Sequence, residues 1–382
     1  MDYEIVKLKE IADFNKESIG KNSNYDFINY LDTANITNGS IDTIVRMFIE
    51  EAPSRAKRIV HNDDIVYSTV RPNLCHYGII DSPVENMIVS TGFTVISCKD
   101  GVNPYYVYNY LTQNDITSQL HSIAENSTSA YPSIKPSDLE NIEVRLPKLE
   151  IQNRIAKILT DIDKKIKLNN EINNKLRELC KTNYLKLIEN NSIELSLSEL
   201  MDYQGGSQPP ASEFQKEKSE DNIRFVQIRD FETDSYVCYI PNSKKNKLCN
   251  KDDILIARYG ASLGRICYGL SGAYNVALAK VLPKKEEYKE LLRVILESDD
   301  FYNYINQVGQ RSAQAGFNAG DIAGYNVIMP DENGLKEFNS ISKNVIEKRI
   351  LIIDENRKLS ELRDTLLPKL MNGEIDLENI EI

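Results

Sequence analysis

The chain has 382 residues, 41% apolar and 27% charged, with a net charge of −11. That length accommodates two or three domains with their own cores, and the negative charge counts against nucleic-acid binding driven by net electrostatics alone. Six cysteines without a CxxC pair read as reduced thiols, and three histidines without partners at ligand spacing leave zinc chemistry unsupported. No apolar run approaches the ~18 residues of a membrane span. The opening "MDYEIVKLKE" lacks the apolar stretch of a secretory signal, so a cytoplasmic location is expected.

Taken in order, residues 1–147 are rich in Tyr, Val, Ile and Gly, with turn signals such as "TNGS", and predict short strands with a few helices. "DDIVYSTV" (63–70) predicts a strand entered from an Asp-rich turn, and "YYVYNYLTQNDITSQL" (105–120) a helix packed on the sheet. Residues 148–190 predict one long helix. Its heptad stripe has Ile155, Ile162, Asn169 and Leu176 at a, and Ile158, Ile172 and Leu179 at d. Residues 191–333 return to the strand-rich character, with "DDILIARY" (252–259) as a strand and 287–305 as a helix. Residues 334–371 predict a second long helix, with Phe338, Val345, Ile352, Leu359 and Leu366 at a, and Ile341 and Leu362 at d. Residues 372–382 form an acidic tail.

The two halves are copies of one another. "VKLKEIADF" (6–14) matches "LSLSELMDY" (195–203), and "DDIVYSTV" matches "DDILIARY", both at an offset of 189. At an offset of 183, Pro147 falls on Pro330 and "NNKLREL" (173–179) falls on "NRKLSEL" (356–362). A register kept over so many separate blocks marks a tandem duplication. Polar residues interrupt the stripes at Lys165, Asn169, Lys348 and Glu355, where they set register and partner choice at a cost in stability.

"LPKLEIQNRIAKILTDIDKKIKLNNEINNKLREL" and "RDTLLPKLMNGEI" resemble the central and C-terminal regions of the specificity (S, or HsdS) subunits of type I restriction–modification enzymes. "DDILIARYGASLGRI" and "NVALAKVLP" resemble their recognition domains; "YQGGSQPP" departs from the Gly-Gly-Thr-Pro turn of many members. The resemblance implies an α+β chain of two similar α/β target-recognition domains, 1–147 and 191–333, separated by two long antiparallel coiled-coil helices. It also implies that each domain reads half of a split double-stranded DNA site. The helices would set the gap and dock two adenine-N6 methyltransferase subunits. Those subunits would carry S-adenosylmethionine, with no cofactor bound by this chain, and a motor-nuclease subunit would join for restriction. The chain itself would perform no chemistry. Independently of the resemblance, neither an NPP[YF] methyltransferase motif nor a GxxxxGK[ST] P-loop occurs.

DNA reading needs Arg or Lys for phosphates and guanine, and Asn or Gln for adenine, presented on loops. In the second half, "ARYGASLGR" offers Arg258, Tyr259, Ser262 and Arg265, "QRSAQAGFN" offers Arg311, Ser312, Gln314 and Asn318, and "QGGSQPP" offers Gln204, Ser207 and Gln208. Lys244, Lys245 and Lys247 are phosphate contacts or a solvated loop. In the first half, "STVRPNLCH" offers Arg71, Asn73 and His76, and "NSTSAYPSIK" offers Ser129, Tyr131 and Lys135. Arg55, Lys57 and Arg58 form a basic cluster suited to phosphate. The rival reading is a coiled-coil protein–protein adaptor that does not bind DNA, favoured by the net charge.

Overall fold

The computed structural model describes residues 2–20, 25–127, 131–189, 192–309, 316–375 and 377. The chain divides into two compact units, 1–165 with 360–382, and 166–359. Each unit takes in one sheet-rich lobe and a stretch of both long helices. No helix among the described residues is long and apolar enough to cross a membrane.

The lobes share one topology. In the first, an antiparallel ribbon pairs Tyr3–Lys7 with Glu143–Pro147. One antiparallel sheet has the order Ala12–Phe14, Phe93–Cys98, Ile65–Ser68, Tyr77–Ile79. The other has the order Val45–Phe48, Phe27–Leu31, Met87–Ser90, Ala56–Ile59, with its central pair parallel. The second lobe repeats all three pieces. Its ribbon joins Ser192–Ser196 to Asn326–Pro330. Its first sheet is Met201–Gly205, Leu278–Pro283, Leu255–Ala257, Ile266–Cys267. Its second is Cys238–Pro241, Asn222–Val226, Gly272–Tyr274, Leu248–Cys249, again with a parallel central pair.

Ile65–Ser68 is buried along its whole length because it lies between two cores. Ile65 and Tyr67 enter one cluster and Val66 the other, as the two-residue strand period requires. The helical segments behind the sheets are each two helices where the sequence predicts one: Pro104–Leu111 and Asn114–Glu125, then Lys289–Leu296 and Asp299–Gly309. Extended backbone at Gln113 breaks the first. At the second break, the Ser298 hydroxyl accepts the Phe301 N–H at 3.2 Å and caps the new helix.

The two long helices are Leu149–Ile188 and Glu332–Met371, 40 residues each, or ~60 Å at 1.5 Å per residue. In the first unit their segments pair antiparallel: Arg363 bonds Asp163 at 3.0 Å, and Arg154 reaches the Leu377 carbonyl at 2.7 Å. Ile151, Ile155 and Leu159 share the lobe's core cluster with Leu370, Met371 and Leu377. In the second unit the segments are antiparallel too. Asn169 donates to Glu355 and Asn356 at 2.8 Å each, and Asn356 donates to Asn170 at 2.8 Å. Leu335, Phe338, Val345 and Cys180 are buried there with the lobe's own core.

The inward stripe corrects the predicted heptad phase. Ile155, Ile162, Asn169, Val345 and Ile352 are buried, and Leu176, Leu359 and Leu366 half-buried. The second line of the stripe lies four residues after each of these, at Leu159, Ile166, Asn173, Cys180, Arg349, Asn356, Arg363 and Leu370. The predicted d residues Leu179 and Leu362 point outward, 49% and 46% exposed, as does Ile341, and Ile172 lies on the flank. In a heptad the positions predicted as a are therefore d. Apolar letters on the outer face and polar letters in the seam shift the apparent pattern by one residue.

Candidate nucleic-acid interface

In the second lobe, three clusters far apart in the sequence meet. The turn after Met201–Gly205 is held against the Gly272–Tyr274 strand end by Ser207 N–H to Tyr274 O at 3.1 Å. Gly206 is required there, since an added Cβ would lie 2.1 Å from the Asn275 carbonyl. The Tyr274 hydroxyl donates to the Gln204 backbone oxygen at 3.1 Å and reaches its side-chain oxygen at 3.2 Å. Burial raises that phenol above its usual pKa, so it stays a donor. Asn275 donates to Gln208 Oε1 at 2.8 Å.

Arg258 leaves the strand Leu255–Ala257 beside this turn. Its guanidinium carbon lies 5.0 Å from the Tyr259 ring centre and 5.8 Å from those of Tyr203 and Phe317. A Cβ on Gly205 would stand 2.9 Å from Arg258 Nη1. Tyr259 bridges Gly316 across to the third cluster. Arg258 is half-buried, and its Nε has no hydrogen-bond partner among the described residues.

The rest of the "ARYGASLGR" loop faces elsewhere. Ser262 and Arg265 line an open cleft of about 460 Å³ with Arg177, Glu297, Asp299 and Tyr302, and Arg265 is ion-paired to Glu232. Asn318 caps the helix Ala319–Ala323: its side-chain oxygen accepts from Gly320 N at 2.7 Å and Asp321 N at 3.2 Å, so that oxygen is already used. Arg311, Ser312 and Gln314 lie outside the described residues. Lys244, Lys245 and Lys247 are exposed around a turn of the other sheet.

The first lobe builds the same crossing with different side chains. Thr69 N–H bonds Gly92 O at 2.8 Å as Arg258 N–H bonds Ala277 O at 2.8 Å. Val70 bridges Ser133 as Tyr259 bridges Gly316. Thr69 therefore stands where the second lobe has Arg258. The cation here is Arg71, in left-handed backbone at φ 49° and 5.3 Å from the Tyr131 ring centre. Cys75 closes the turn at φ 56°; left-handed conformation at such residues concentrates at functional loops.

His76 is committed to structure. Its Nδ1 is 2.7 Å from the Ile36 carbonyl and 3.3 Å from Thr37 Oγ1, bracing a hairpin of Ile36–Thr37 and Ser40–Ile41. Asn73 is exposed on the neighbouring turn. Arg55 is ion-paired to Asp32, which also accepts the Thr33 N–H at 2.6 Å. Lys57 is exposed, whereas Arg58 is half-buried with an unpartnered Nε, and burial lowers its pKa. Lys135 leads into the helix Pro136–Glu140 with its side chain exposed, and Ser129 lies outside the described residues. Asp32, Asn275 and the 36–41 hairpin were not among the predicted site residues; the only sequence signals nearby are the turn motifs "TNGS" and "SGAY".

Comparison with known proteins places this scaffold. Residues 1–178 match the model of the type I restriction modification DNA specificity domain. The chain is 22% identical to the type I restriction enzyme HindI specificity subunit of Haemophilus influenzae, covering 92% of this chain and 95% of that one. It is 24% identical to the MjaIX specificity subunit of Methanocaldococcus jannaschii, over 88% and 83% of the two chains. The crystal structure of the type I restriction–modification S subunit from M. genitalium has the same fold, with a TM-score of 0.58 at 16% identity over 97% of this chain and 96% of that one. The family model covers the first lobe and most of the first long helix, the second half of the chain repeats that unit, and the similarity to the named specificity subunits runs along most of the chain.

Proposed function

We propose that this chain is the DNA-recognition subunit of a type I restriction–modification complex. Each lobe reads one half of a split site, and the chain performs no chemistry itself. The observation that carries this reading is the loop crossing present in both lobes on one backbone plan, with Arg258 in one and Thr69 in the other. A duplicated scaffold with unlike side chains at equivalent places suits two different half-sites better than one repeated ligand. The two relatives named as specificity subunits support it.

In this reading the long helices also dock two adenine-N6 methyltransferase subunits, which carry S-adenosylmethionine, and a motor-nuclease subunit joins for restriction. The outward residues support the scaffold role. Leu168 and Leu351 are both exposed, as are Leu179 and Leu362, and each pair is related by the 183-residue repeat. Exposed leucines at equivalent places in the two copies of the repeat suit two copies of one partner. The net charge of −11 fits a subunit whose partners neutralise much of the phosphate charge.

The test is a genome-wide map of N6-methyladenine in cells expressing the cognate methyltransferase subunit with and without this chain. One split motif is expected to depend on the chain. An unchanged map, together with a complex that binds no DNA, favours the adaptor reading.

A further inference from the structure

We infer that Arg258 reads a guanine in the half-site met by the second lobe. The inference rests on the DNA-recognition reading and adds the base and the residue. Arginine side chains near the loop crossings divide by partner. Arg55 is tied to Asp32 and Arg265 to Glu232, and Arg224 and Arg357 share Asp234. Arg258 has no such carboxylate among the described residues, so its terminal N–H groups are not spent on an acid.

The surroundings hold the group still while leaving it unneutralised. Three rings, from Tyr203, Tyr259 and Phe317, lie within 5.8 Å of the guanidinium carbon. They favour the cation and restrict its plane. Gly205 leaves Nη1 room that a side chain would take. A guanidinium oriented in this way presents parallel N–H donors, and guanine is the base that offers two acceptors, N7 and O6, side by side on its major-groove edge. Phosphate asks less of orientation, and exposed Lys244, Lys245 and Lys247 on the same lobe suit it. Gln204 and Gln208 lie on the same glycine turn, where their amides meet Tyr274 and Asn275. The first lobe has Thr69 at this place, so the assignment belongs to the second lobe alone.

The test uses the complex with its methyltransferase subunit and duplexes carrying 7-deazaguanine at one guanine at a time. The second half-site is identified as the one that changes when residues 191–333 are exchanged. At one guanine, loss of N7 is expected to weaken binding by at least roughly fivefold. In Arg258→Gln the same analogue is expected to cost nothing further, and the methylated motif becomes degenerate at that position only. If Arg258→Gln weakens all duplexes equally, the contact is to phosphate and the inference fails. The wild-type scan decides the matter even where the variant does not fold: a second half-site without guanine, or without an N7-sensitive one, overturns it. A complex that methylates no split motif would instead overturn the DNA-recognition reading itself.

Discussion

Arg349, from the second long helix, meets the Glu297 carboxylate with two hydrogen bonds of 3.0 and 3.1 Å. Arg177, from the first, donates to the Glu297 carbonyl at 2.7 Å. Below them Tyr268 lies under Arg293 and Arg349, at 4.6 and 5.3 Å from their guanidinium carbons. Arg293 is fully buried and bonds Glu290 at 2.8 Å. Removing one partner of such a pair strands the other charge away from water, at a cost of about 3–5 kcal/mol, whereas replacing both by apolar groups is often neutral. Glu297→Leu is therefore expected to lower the denaturant midpoint of the second unit markedly. The double variant Glu297→Leu with Arg349→Met should recover much of the loss. A double variant as unstable as the sum of the singles would show that the pair contributes independently of burial. Little of this was visible in the sequence: Thr112, which ends the helix Pro104–Leu111 as Glu297 ends Lys289–Leu296, and Ile166 occupy the places of Glu297 and Arg349 in the first half of the repeat.

The long helices were legible as elements but not in phase. Their length, pairing and common register follow from the repeated heptads. Yet Leu179 and Leu362 face out, while Asn169, 1% exposed, sits in the seam with Asn356. A stripe of apolar letters identifies the buried face only when the outer face is polar, and here the outer face carries leucines. The structure instead gives the polar seam partners: Asn169 with Glu355 and Asn356, and Asp163 with Arg363. Because the segments are antiparallel, a change of length has to be made in both helices to keep these pairs. One matched heptad added to each, near residues 165 and 359, is expected to lengthen the methylated motif's gap while leaving both half-sites unaltered. Each heptad spans ~10 Å, or about three base pairs of B-DNA at 3.4 Å each. A motif with an unchanged gap would separate the helices from the spacing of the half-sites.

At the scale of the whole molecule the duplication makes the lobes separable. Each has its own pair of sheets and its own ribbon, and each buries its core against its own stretch of the helices. Exchange of residues 1–147 for another recognition lobe is expected to change one half-site of the methylated motif and leave the other. A change in both halves would show that the lobes read the site jointly. The amino-acid sequence by itself determined the duplication, the strand-rich lobes and the long helices, because repeated blocks and heptad periodicity are local and survive without coordinates. Only the tertiary structure decided which loops meet. Gln204, Arg258 and Asn275 come together through pairings of strands far apart in the chain, and His76 and Asn318 prove to be bracing and capping groups. Whether an arginine is spent on a carboxylate or left unpaired depends on contacts that no local pattern encodes.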